Sequence, residues 1–335
     1  MKKQTRSLRT LAALGLVGAL ALTGCGGGGE SGGSQQWSLG ETHPKDYPTT
    51  QADIWFADHV RERTDGRIDI SVRHSAQLGE EREVIEQVQM GAAQMTRVST
   101  APVAEFVPAF GVFSMPYLFD DEEHLWRFLE GDYAQGMLGD LRESGFVGLA
   151  YYEAGARNFY TVDKPITSPE DLEGLDIRVI EGSVNADMVE AMGGSPVTMD
   201  YGEVYSSLET GVLDGAENNE PSYVSSGHYE LAKHFTMDAH QRIPEVLMIN
   251  ADVFDSLSEK DQQLLRDVAQ ESVAEQRKLW DQEVEESLAE MKDAGIKIHD
   301  VETTEFQESV SGLLDEARKG EYSEVMAAID EVRES

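Results

Sequence analysis

The chain has 335 residues, of which 40% are hydrophobic and 27% are charged, which is enough for two lobes with a core each. These values are typical of a soluble globular protein and exclude a disordered or membrane-embedded chain. The formal net charge is -36, from 63 acidic and 27 basic residues, so the surface repels nucleic acid and anionic lipid, and neither is an expected partner.

The amino-terminal residues have the pattern of an export signal. A basic segment within residues 2–9 precedes an apolar stretch over residues 11–22, which is too short to span a bilayer as a mature helix. The stretch ends in Leu22-Thr23-Gly24-Cys25, which looks like a bacterial lipobox. We predict a signal peptide over 1–24 and a lipid anchor with a flexible tether over 25–36; an ordinary secretory signal is the alternative.

Cys25 is the only cysteine of the chain. If its thiol carries lipid, the folded body has none left. Disulfides, thiolate metal sites and cysteine nucleophiles are then excluded.

The folded body alternates predicted strands and helices. Alternating apolar residues indicate half-buried strands, and apolar residues three or four apart indicate helices. Strands that alternate with helices are typical of a parallel sheet, so we predict an α/β fold. The predicted elements in chain order are a strand over 37–41, a helix from Thr49 to Gly66, a strand over 68–73, a helix over 80–90, strands over 146–152 and 175–180, a helix over 184–192 and a strand over 196–199.

The segment from Ser258 to Ala294 predicts one unusually long helix. Ser258 and Asp261 resemble a capping box, Gly295 follows the far end, and neither proline nor glycine interrupts it. At 1.5 Å per residue the helix would be about 55 Å long. Such a helix favours a brace between two lobes; two helices with a break near Trp280 are the alternative.

Common enzyme motifs are missing from the sequence. It has no Gly-x-Ser-x-Gly elbow, no phosphate-binding loop, no His-Glu-x-x-His and no Gly-x-Gly-x-x-Gly after a strand. The eight histidines show no metal-ligand spacing, and we expect His228 and His240 to be hydrogen-bonded core or loop residues. We therefore expect neither catalysis nor a metal or other cofactor.

Three arginines lie next to or inside predicted strands. Arg97 follows a run of apolar and small residues, Arg157 comes just after a strand, and Arg178 lies within one. A buried guanidinium has lost water and needs an anion, and its planar fork holds a carboxylate through two parallel hydrogen bonds. We expect the ligand rather than an internal acid to be the partner of Arg178.

A second polar segment, over 211–221, contains Asn218 and Asn219 after a glycine. Amide side chains can donate to and accept from hydroxyls or a carboxylate. Ordinary turn chemistry is the alternative for these residues.

Several stretches together resemble one family, the extracytoplasmic solute receptors of tripartite ATP-independent periplasmic (TRAP) transporters. The resemblance runs from about Trp37 to about Glu331. The matching stretches are Gln77-Leu78-Gly79-Glu80, Met115-Pro116-Tyr117-Leu118-Phe119, the segment from Asp171 through Arg178 to Val179, and Glu203-Val204-Tyr205 leading to the segment 213–219.

The resemblance implies a fold and a set of ligand contacts. It implies that Arg178 clamps the ligand carboxylate, that Arg157 is its partner, that Asn218 binds the ligand and that Tyr201 packs on it. It also implies two α/β lobes joined by crossing hinge strands, with a long helix spanning both. We predict lobe I over 37–155 and 244–283, and lobe II over 156–243 and 284–335.

Finer features resemble the branch that binds sugar acids such as glucuronate and galacturonate. They are Arg97, His43 near the first strand, and the segment 221–230. We add Asn219 and Glu41 as ligand-binding candidates. One departure is Glu220, which stands where that branch often has tryptophan. A C4-dicarboxylate, or a zwitterion paired with Glu41, is the alternative ligand.

The resemblance implies a mechanism of capture by closure. An open receptor would expose the three arginines to water, one lobe would bind the anion, and the other would cover it. The closed receptor, expected to be a monomer held to the membrane only through its lipid, would deliver the ligand to a membrane permease driven by an ion gradient. A secreted sugar-acid hydrolase and a receptor that reports to a chemosensor are the alternatives.

Overall fold

The structure is a computed structural model in which residues 34–333 are described. The predicted signal peptide, Cys25 and most of the predicted tether lie outside the described residues. The tether prediction is wrong at its end, because the first strand begins at Gln35. Within residues 34–333, no helix has the length and apolar composition required to cross a membrane.

Strands and helices alternate through the described chain. The strands are β1 (Gln35–Gly40), β2 (Ile68–Arg73), β3 (Met95–Ser99), β4 (Phe146–Tyr152), β5 (Asn158–Thr161), β6 (Asp176–Val179), β7 (Ser195–Thr198), β8 (Gly215–Asn218), β9 (His234–Met237), β10 (Glu245–Asn250) and β11 (Lys297–Asp300). The helices are α1 (Pro48–Arg63), α2 (Glu81–Gln89), α3 (Thr100–Val103), α4 (Glu122–Leu129), α5 (Asp132–Asp140), α6 (Ser183–Ala191), α7 (Val204–Thr210), α8 (Glu220–Ser225), α9 (Ala251–Asp255), α10 (Glu259–Asp293), α11 (Thr304–Ala317) and α12 (Ser323–Arg333).

Most predicted elements are confirmed to within two residues, and β4 has the predicted bounds. The predicted start of the first helix is wrong. Tyr47 is its N-cap and Pro48 occupies the first turn, where a proline is favoured because no helical partner awaits its missing N–H. The helix ends at Arg63, before Gly66.

Lobe I is built on a five-stranded sheet in the order β2-β1-β3-β10-β4. Strand β1 is parallel to β2 and β3, whereas β10 is antiparallel to β3 and β4. Every residue of β3, β4 and β10 is buried. Apolar clusters cover both faces of the sheet, which explains why β4 and β10 have largely continuous rather than alternating apolar sequences.

Lobe II is built on a six-stranded sheet in the order β11-β9-β5-β8-β6-β7. Strand β6 is parallel to β7 and β8, and β5 is antiparallel to β8 and β9. One face packs a cluster that includes Phe159, Ile177 and Met188. The other face packs the aromatic rings of Tyr160 and Phe235 with their neighbours.

Two crossing segments connect the lobes. One joins β4 to β5, and the other joins β9 to β10. They pair where the Arg157 N–H donates to the Gln241 carbonyl at 2.8 Å and the His240 N–H donates to the Arg157 carbonyl at 3.0 Å. Gly155 in the first segment has φ +66°, and a Cβ there would lie 3.0 Å from Trp280 Cζ2. Only glycine fits this position without strain.

The long helix α10 is confirmed as one uninterrupted element, so the predicted alternative of a break near Trp280 is wrong. Ser258 caps it, because its hydroxyl accepts from the Asp261 N–H at 3.2 Å. Leu265 and Val268 pack in the core of lobe I, whereas Met291 packs in the core of lobe II. The helix therefore spans both lobes, and the predicted two-lobed α/β class is confirmed.

The predicted lobe boundaries need one correction at the carboxyl end. Residues 284–335 were all assigned to lobe II, yet Val325, Met326 and Ile329 of α12 pack in the lobe I core beside Phe113. Helix α11 does pack on lobe II through Phe306. Helix α12 carries an apolar face, which is buried against the apolar core of lobe I. The other boundaries stay a prediction.

Candidate ligand-binding site

A cavity of about 650 Å³, partly open to solvent, lies between the lobes. Its walls combine apolar side chains with polar ones, and the polar residues carry both signs of charge. Lobe I contributes His43, Glu80, Glu81, Arg82, Ser99 and Glu245, and lobe II contributes Arg157, Arg178, Glu181, Asp200, Tyr201, Asn218, Asn219 and Ser222.

Arg178 lies in β6 and is only 4% exposed, with its guanidinium on the cavity wall. Its Nε donates to the Met199 carbonyl at 3.0 Å, and its guanidinium carbon lies 5.9 Å from the centre of the Tyr201 ring. Within residues 34–333 no carboxylate forms an ion pair with it. Burial lowers the pKa of Arg178; the charge of Glu217 opposes this and the charge of Arg157 adds to it. The site therefore holds a desolvated cation without a carboxylate in direct contact.

Arg157 also lines the cavity, but it is bound to Glu217 of β8. Its Nε pairs with one carboxylate oxygen, and its Nη2 donates to the other at 2.9 Å. Burial would raise the pKa of Glu217, but the charge of Arg157 and the neighbouring His240 lower it to about 2. The expectation that all three arginines are free in the cleft is wrong for Arg157, because Glu217 neutralises it.

His240 extends this buried network. Its Nδ1 lies 2.7 Å from Asp238 Oδ2, and its Nε2 lies 3.6 Å from Glu217 Oε2. Burial lowers the pKa of His240, but the charge of Asp238 and the contact with Glu217 outweigh it and raise the pKa to about 9. Two cations and two anions thus balance in this network, and Arg178 is the cation of the lobe II wall that has no ion-pair partner within residues 34–333.

We expect this imidazolium to make stability depend on pH. The pKa of His240 is above its ordinary value of 6.5 in the folded state, so its contribution is complete below about pH 6.5 and is lost as the pH rises through about 9. The loss is about 3 kcal/mol at most. Urea unfolding at pH 6 and at pH 9 should show this decline in the native chain and a smaller one in His240→Gln. The role of His240 would be contradicted if His240→Gln lost as much stability between pH 6 and pH 9 as the native chain does. It would also be contradicted if the control His74→Gln reduced this loss as much as His240→Gln does.

Arg97 does not line the cavity, which corrects the prediction that it faces the cleft. It is fully buried in the central strand β3, where it forms ion pairs with Glu41 and Glu245. Asp53 lies 3.9 Å from its Nε. Burial and the charge of Glu41 raise the pKa of Asp53 well above its ordinary value. All five residues of β3 are buried, so the side chain has no route to solvent.

Glu41 is likewise buried behind the cavity wall rather than on it. Burial would raise the pKa of Glu41, but Arg97 and His43 lower it to about 2. Its carboxylate accepts from the His43 N–H at 2.6 Å and lies 3.1 Å from His43 Nδ1. Glu41 and Arg97 therefore hold His43 and Glu245, which do reach the cavity.

Aromatic rings form the floor between the lobes. His43 stacks on Tyr47 with ring centres 4.0 Å apart, and its centre is 5.4 Å from that of Tyr201. The Tyr201 hydroxyl donates to the Ser222 carbonyl at 3.0 Å, which fixes the ring against α8. The structure thus brings together the predicted residues His43 and Tyr201.

Asn218 and Asn219 have different environments. Asn218 Oδ1 accepts from Arg157 Nη1 at 3.1 Å and from the Asn219 N–H at 2.9 Å, and its Nδ2 makes no hydrogen bond within residues 34–333. Asn219 caps α8 by accepting from the Ser222 N–H at 2.8 Å, and its Nδ2 donates to the Ala154 carbonyl at 3.0 Å. Asn219 therefore serves the hinge, and Asn218 keeps donor capacity at the cavity.

Glu220 is not part of the cavity wall. It begins α8 on the far side of the crossing segments, where Asn158 Nδ2 donates to it at 3.4 Å in a groove shared with Arg242 and Trp280. The departure from tryptophan at Glu220 therefore lies outside the cavity.

Sequence reasoning missed Glu81, Arg82, Glu217 and Glu245. In a chain with 63 acids no carboxylate stands out by type. One available signal was the position of Glu217 in the sequence, between Ala216 and Asn218 in a segment that becomes the buried strand β8. Another was the single acid at the start of the apolar run of β10. An acid inside a buried strand needs a cation, and both of these have an arginine.

The predicted structural role of two histidines is confirmed. His240 belongs to the network above, and His228 Nδ1 lies 2.8 Å from the Tyr160 hydroxyl. Burial and Arg178 lower the pKa of His228 to about 3, so it is neutral. Within residues 34–333 no group of three or more histidine, cysteine or acidic side chains is arranged to hold a metal ion.

Comparison with known proteins gives one family throughout. Residues 39–320 match DctP, bacterial extracellular solute-binding protein, family 7. The chain belongs to the DctP family. A solute-binding protein of Chromohalobacter salexigens is 36% identical over 303 residues, which cover 90% of each chain.

Solved structures of the family have the same fold. A TRAP periplasmic solute-binding protein of Xanthobacter autotrophicus with bound β-D-galacturonate has 36% identity and a TM-score of 0.86, covering 90% of this chain and 100% of that one. One from Chromohalobacter salexigens with bound D-glucuronate has 37% identity and a TM-score of 0.85, covering 89% and 99%. The chain is thus an extracytoplasmic TRAP-type solute receptor, from a family of receptors rather than enzymes.

Proposed function

We propose that this receptor captures a hexuronate such as glucuronate or galacturonate, with Arg178 as the group that holds its carboxylate. The observation that carries the proposal is a buried guanidinium at the cavity wall whose one hydrogen-bond acceptor within residues 34–333 is the Met199 carbonyl. A buried cation without an anionic partner is costly. A carboxylate that accepts two parallel hydrogen bonds from it removes that cost and supplies specificity.

Arg157, Asn218 and Tyr201 complete the proposed carboxylate end. Arg157 and Asn218 lie side by side, 3.1 Å apart at Nη1 and Oδ1, and the Tyr201 ring lies near Arg178. Because Glu217 neutralises Arg157, the pair presents donors without a second uncompensated charge. This end therefore suits one carboxylate and an adjacent ring oxygen or hydroxyl.

The lobe I wall favours a sugar acid over a dicarboxylate. Glu81 and Glu245 both line this wall. Carboxylates accept hydrogen bonds from hydroxyls but repel a second carboxylate. A ligand with one anionic end and a polyhydroxyl end matches both walls, whereas a C4-dicarboxylate would place its second charge against acids.

Calorimetry with a ligand panel tests the proposal. We expect D-glucuronate or D-galacturonate to bind at least about a hundredfold more tightly than succinate or malate, because the second carboxylate meets Glu81 and Glu245. The neutral methyl ester of the same uronate should not bind measurably. A dicarboxylate as the tightest ligand, or equal binding of the ester, would contradict the proposed ligand.

The remaining parts of the proposal concern the setting of the receptor. We propose that it is anchored through lipid on Cys25, passes its ligand to a TRAP permease, and leaves the ligand chemically unchanged. The lipobox-like segment ending at Cys25 supports the anchor. Mass spectrometry of the mature protein should find a diacylglyceryl group on Cys25, and uronate incubated with the receptor should be recovered intact. An unmodified amino terminus or a new sugar product would contradict these parts separately.

A further inference from the structure

The mouth of the cavity brings acids of both lobes together. From lobe I come Glu80, just before α2, and Glu105, after α3. From lobe II come Glu181, after β6, and Asp200, after β7. Burial and the charge of Glu181 raise the pKa of Glu105, and burial and the charge of Asp200 raise the pKa of Glu80. Each acid therefore faces a like charge on the opposite lobe.

Arg82 lies among these acids. Arg82, in the first turn of α2, places Nη1 2.6 Å from Glu181 Oε1 and 2.9 Å from Glu105 Oε2. A third, longer contact runs from its Nε to Glu86 at 3.5 Å within the same helix. Arg82 Nη1 thus contacts one carboxylate from each lobe.

The contact to Glu181 is an ion pair between the lobes. Helix α2 packs in the core of lobe I through Val84, Ile85 and Val88, whereas Glu181 follows a strand of the lobe II sheet. Separation of the lobes would break this pair but would leave the pairs with Glu86 and Glu105 intact. The pair between Arg82 and Glu181 is therefore present only when the lobes are closed. The contacts of Arg82 within lobe I are the same in the open and closed receptor.

We propose that Arg82 is a positioning residue for ligand capture, which offsets the repulsion between Glu105 and Glu181 when the lobes meet and so slows release of the ligand. The proposal rests on the proposed function, since it needs a ligand that both lobes enclose. It concerns release because the pair exists only after closure, whereas the first encounter takes place with the open form.

Kinetics of glucuronate binding test this role. We expect Arg82→Gln to raise the dissociation rate constant and Kd about two- to fivefold, the range of a partly exposed ion pair, and to leave the association rate constant unchanged. The melting temperature of the unliganded protein should stay the same. Glu86→Gln is the matched control, because it removes a partner of the same arginine within lobe I, and its rates should match those of the native chain.

Rescue separates charge compensation from other roles. Adding Glu181→Gln to Arg82→Gln removes the uncompensated acid, so we expect the double variant to return to within about twofold of native release. At 1 M NaCl, where screening acts over about 3 Å, the difference between the native chain and Arg82→Gln should also shrink. A defect that neither the second substitution nor salt relieves would mean that Arg82 contacts the ligand itself.

These experiments distinguish a failure of the proposed role of Arg82 from a failure of the proposed receptor function. If the native chain binds glucuronate and Arg82→Gln releases it at the native rate, the role of Arg82 is refuted while the receptor function stands. If the native chain binds no uronate, the proposed function fails first. If Arg82→Gln lowers the melting temperature of the unliganded protein as much as it weakens binding, its role is in folding rather than in closure, which refutes the inference.

Discussion

Arg178→Ala and Arg178→Lys should each lower the affinity for glucuronate by at least about a hundredfold, because two charge-assisted hydrogen bonds of about 1.5–3 kcal/mol each are lost or misplaced. Lysine keeps the charge but cannot reproduce the planar fork. Unliganded Arg178→Ala should melt at or above the native temperature, because this substitution removes a buried cation that has no acid partner within residues 34–333.

Isothermal calorimetry and thermal melts of the same samples check both parts. The matched control is Arg73→Lys, at an exposed position at the end of β2, which should bind as the native chain does. Undiminished affinity in Arg178→Lys would show that charge alone suffices. Undiminished affinity in Arg178→Ala would remove Arg178 from the site.

Arg97→Met should destabilise the protein strongly, in contrast to the substitutions at Arg178. Removal of one partner from a buried ion pair costs about 3–5 kcal/mol. Here Glu41 and Glu245 would remain buried without their cation. A fall of roughly 10 °C in melting temperature is expected. Arg63→Met, which breaks the exposed pair with Glu271, should cost less than about 1 kcal/mol.

The pH dependence identifies the cause of this loss. Without Arg97, burial should raise the pKa of Glu41 from its folded value of about 2, and the acids would take up protons on mild acidification. The deficit of Arg97→Met should therefore shrink between about pH 7 and about pH 5. Urea unfolding measures it. A deficit that is constant over this range would point to lost packing rather than to unpaired charge.

The regular elements of the fold could be predicted from the sequence because local patterns determine them. The apolar runs of β4 and β10 predict buried strands, and the unbroken pattern from Ser258 to Ala294 predicts α10. The return of α12 to lobe I could not be read in this way. An amphipathic helix shows that it needs an apolar surface but not which of two surfaces it meets.

The candidate site could be predicted only in part, because residue type does not reveal a partner distant in sequence. Arg97, Arg157 and Arg178 lie in similar local patterns next to strands. Glu41 and Glu245 neutralise the first and Glu217 neutralises the second. These acids are up to 148 residues away along the chain. Sheet topology alone decides which arginine is left for a ligand.

The contrast between these arginines explains why the large negative charge of the chain does not prevent anion binding. Arg97 and Arg157 hold Glu41, Glu245 and Glu217 in buried ion pairs, and no carboxylate within residues 34–333 forms an ion pair with Arg178. Local charge at Arg178 therefore decides the binding of the carboxylate, since the field of surface charges is screened within about 8 Å at physiological salt.

A crystal structure of the receptor with D-glucuronate would show directly whether Arg178 holds the ligand carboxylate. We expect both carboxylate oxygens within about 3 Å of Arg178 Nη1 and Nη2, with the sugar hydroxyls toward Glu81 and Glu245. A carboxylate bound elsewhere in the cavity, with the Arg178 guanidinium still without an anion, would contradict it.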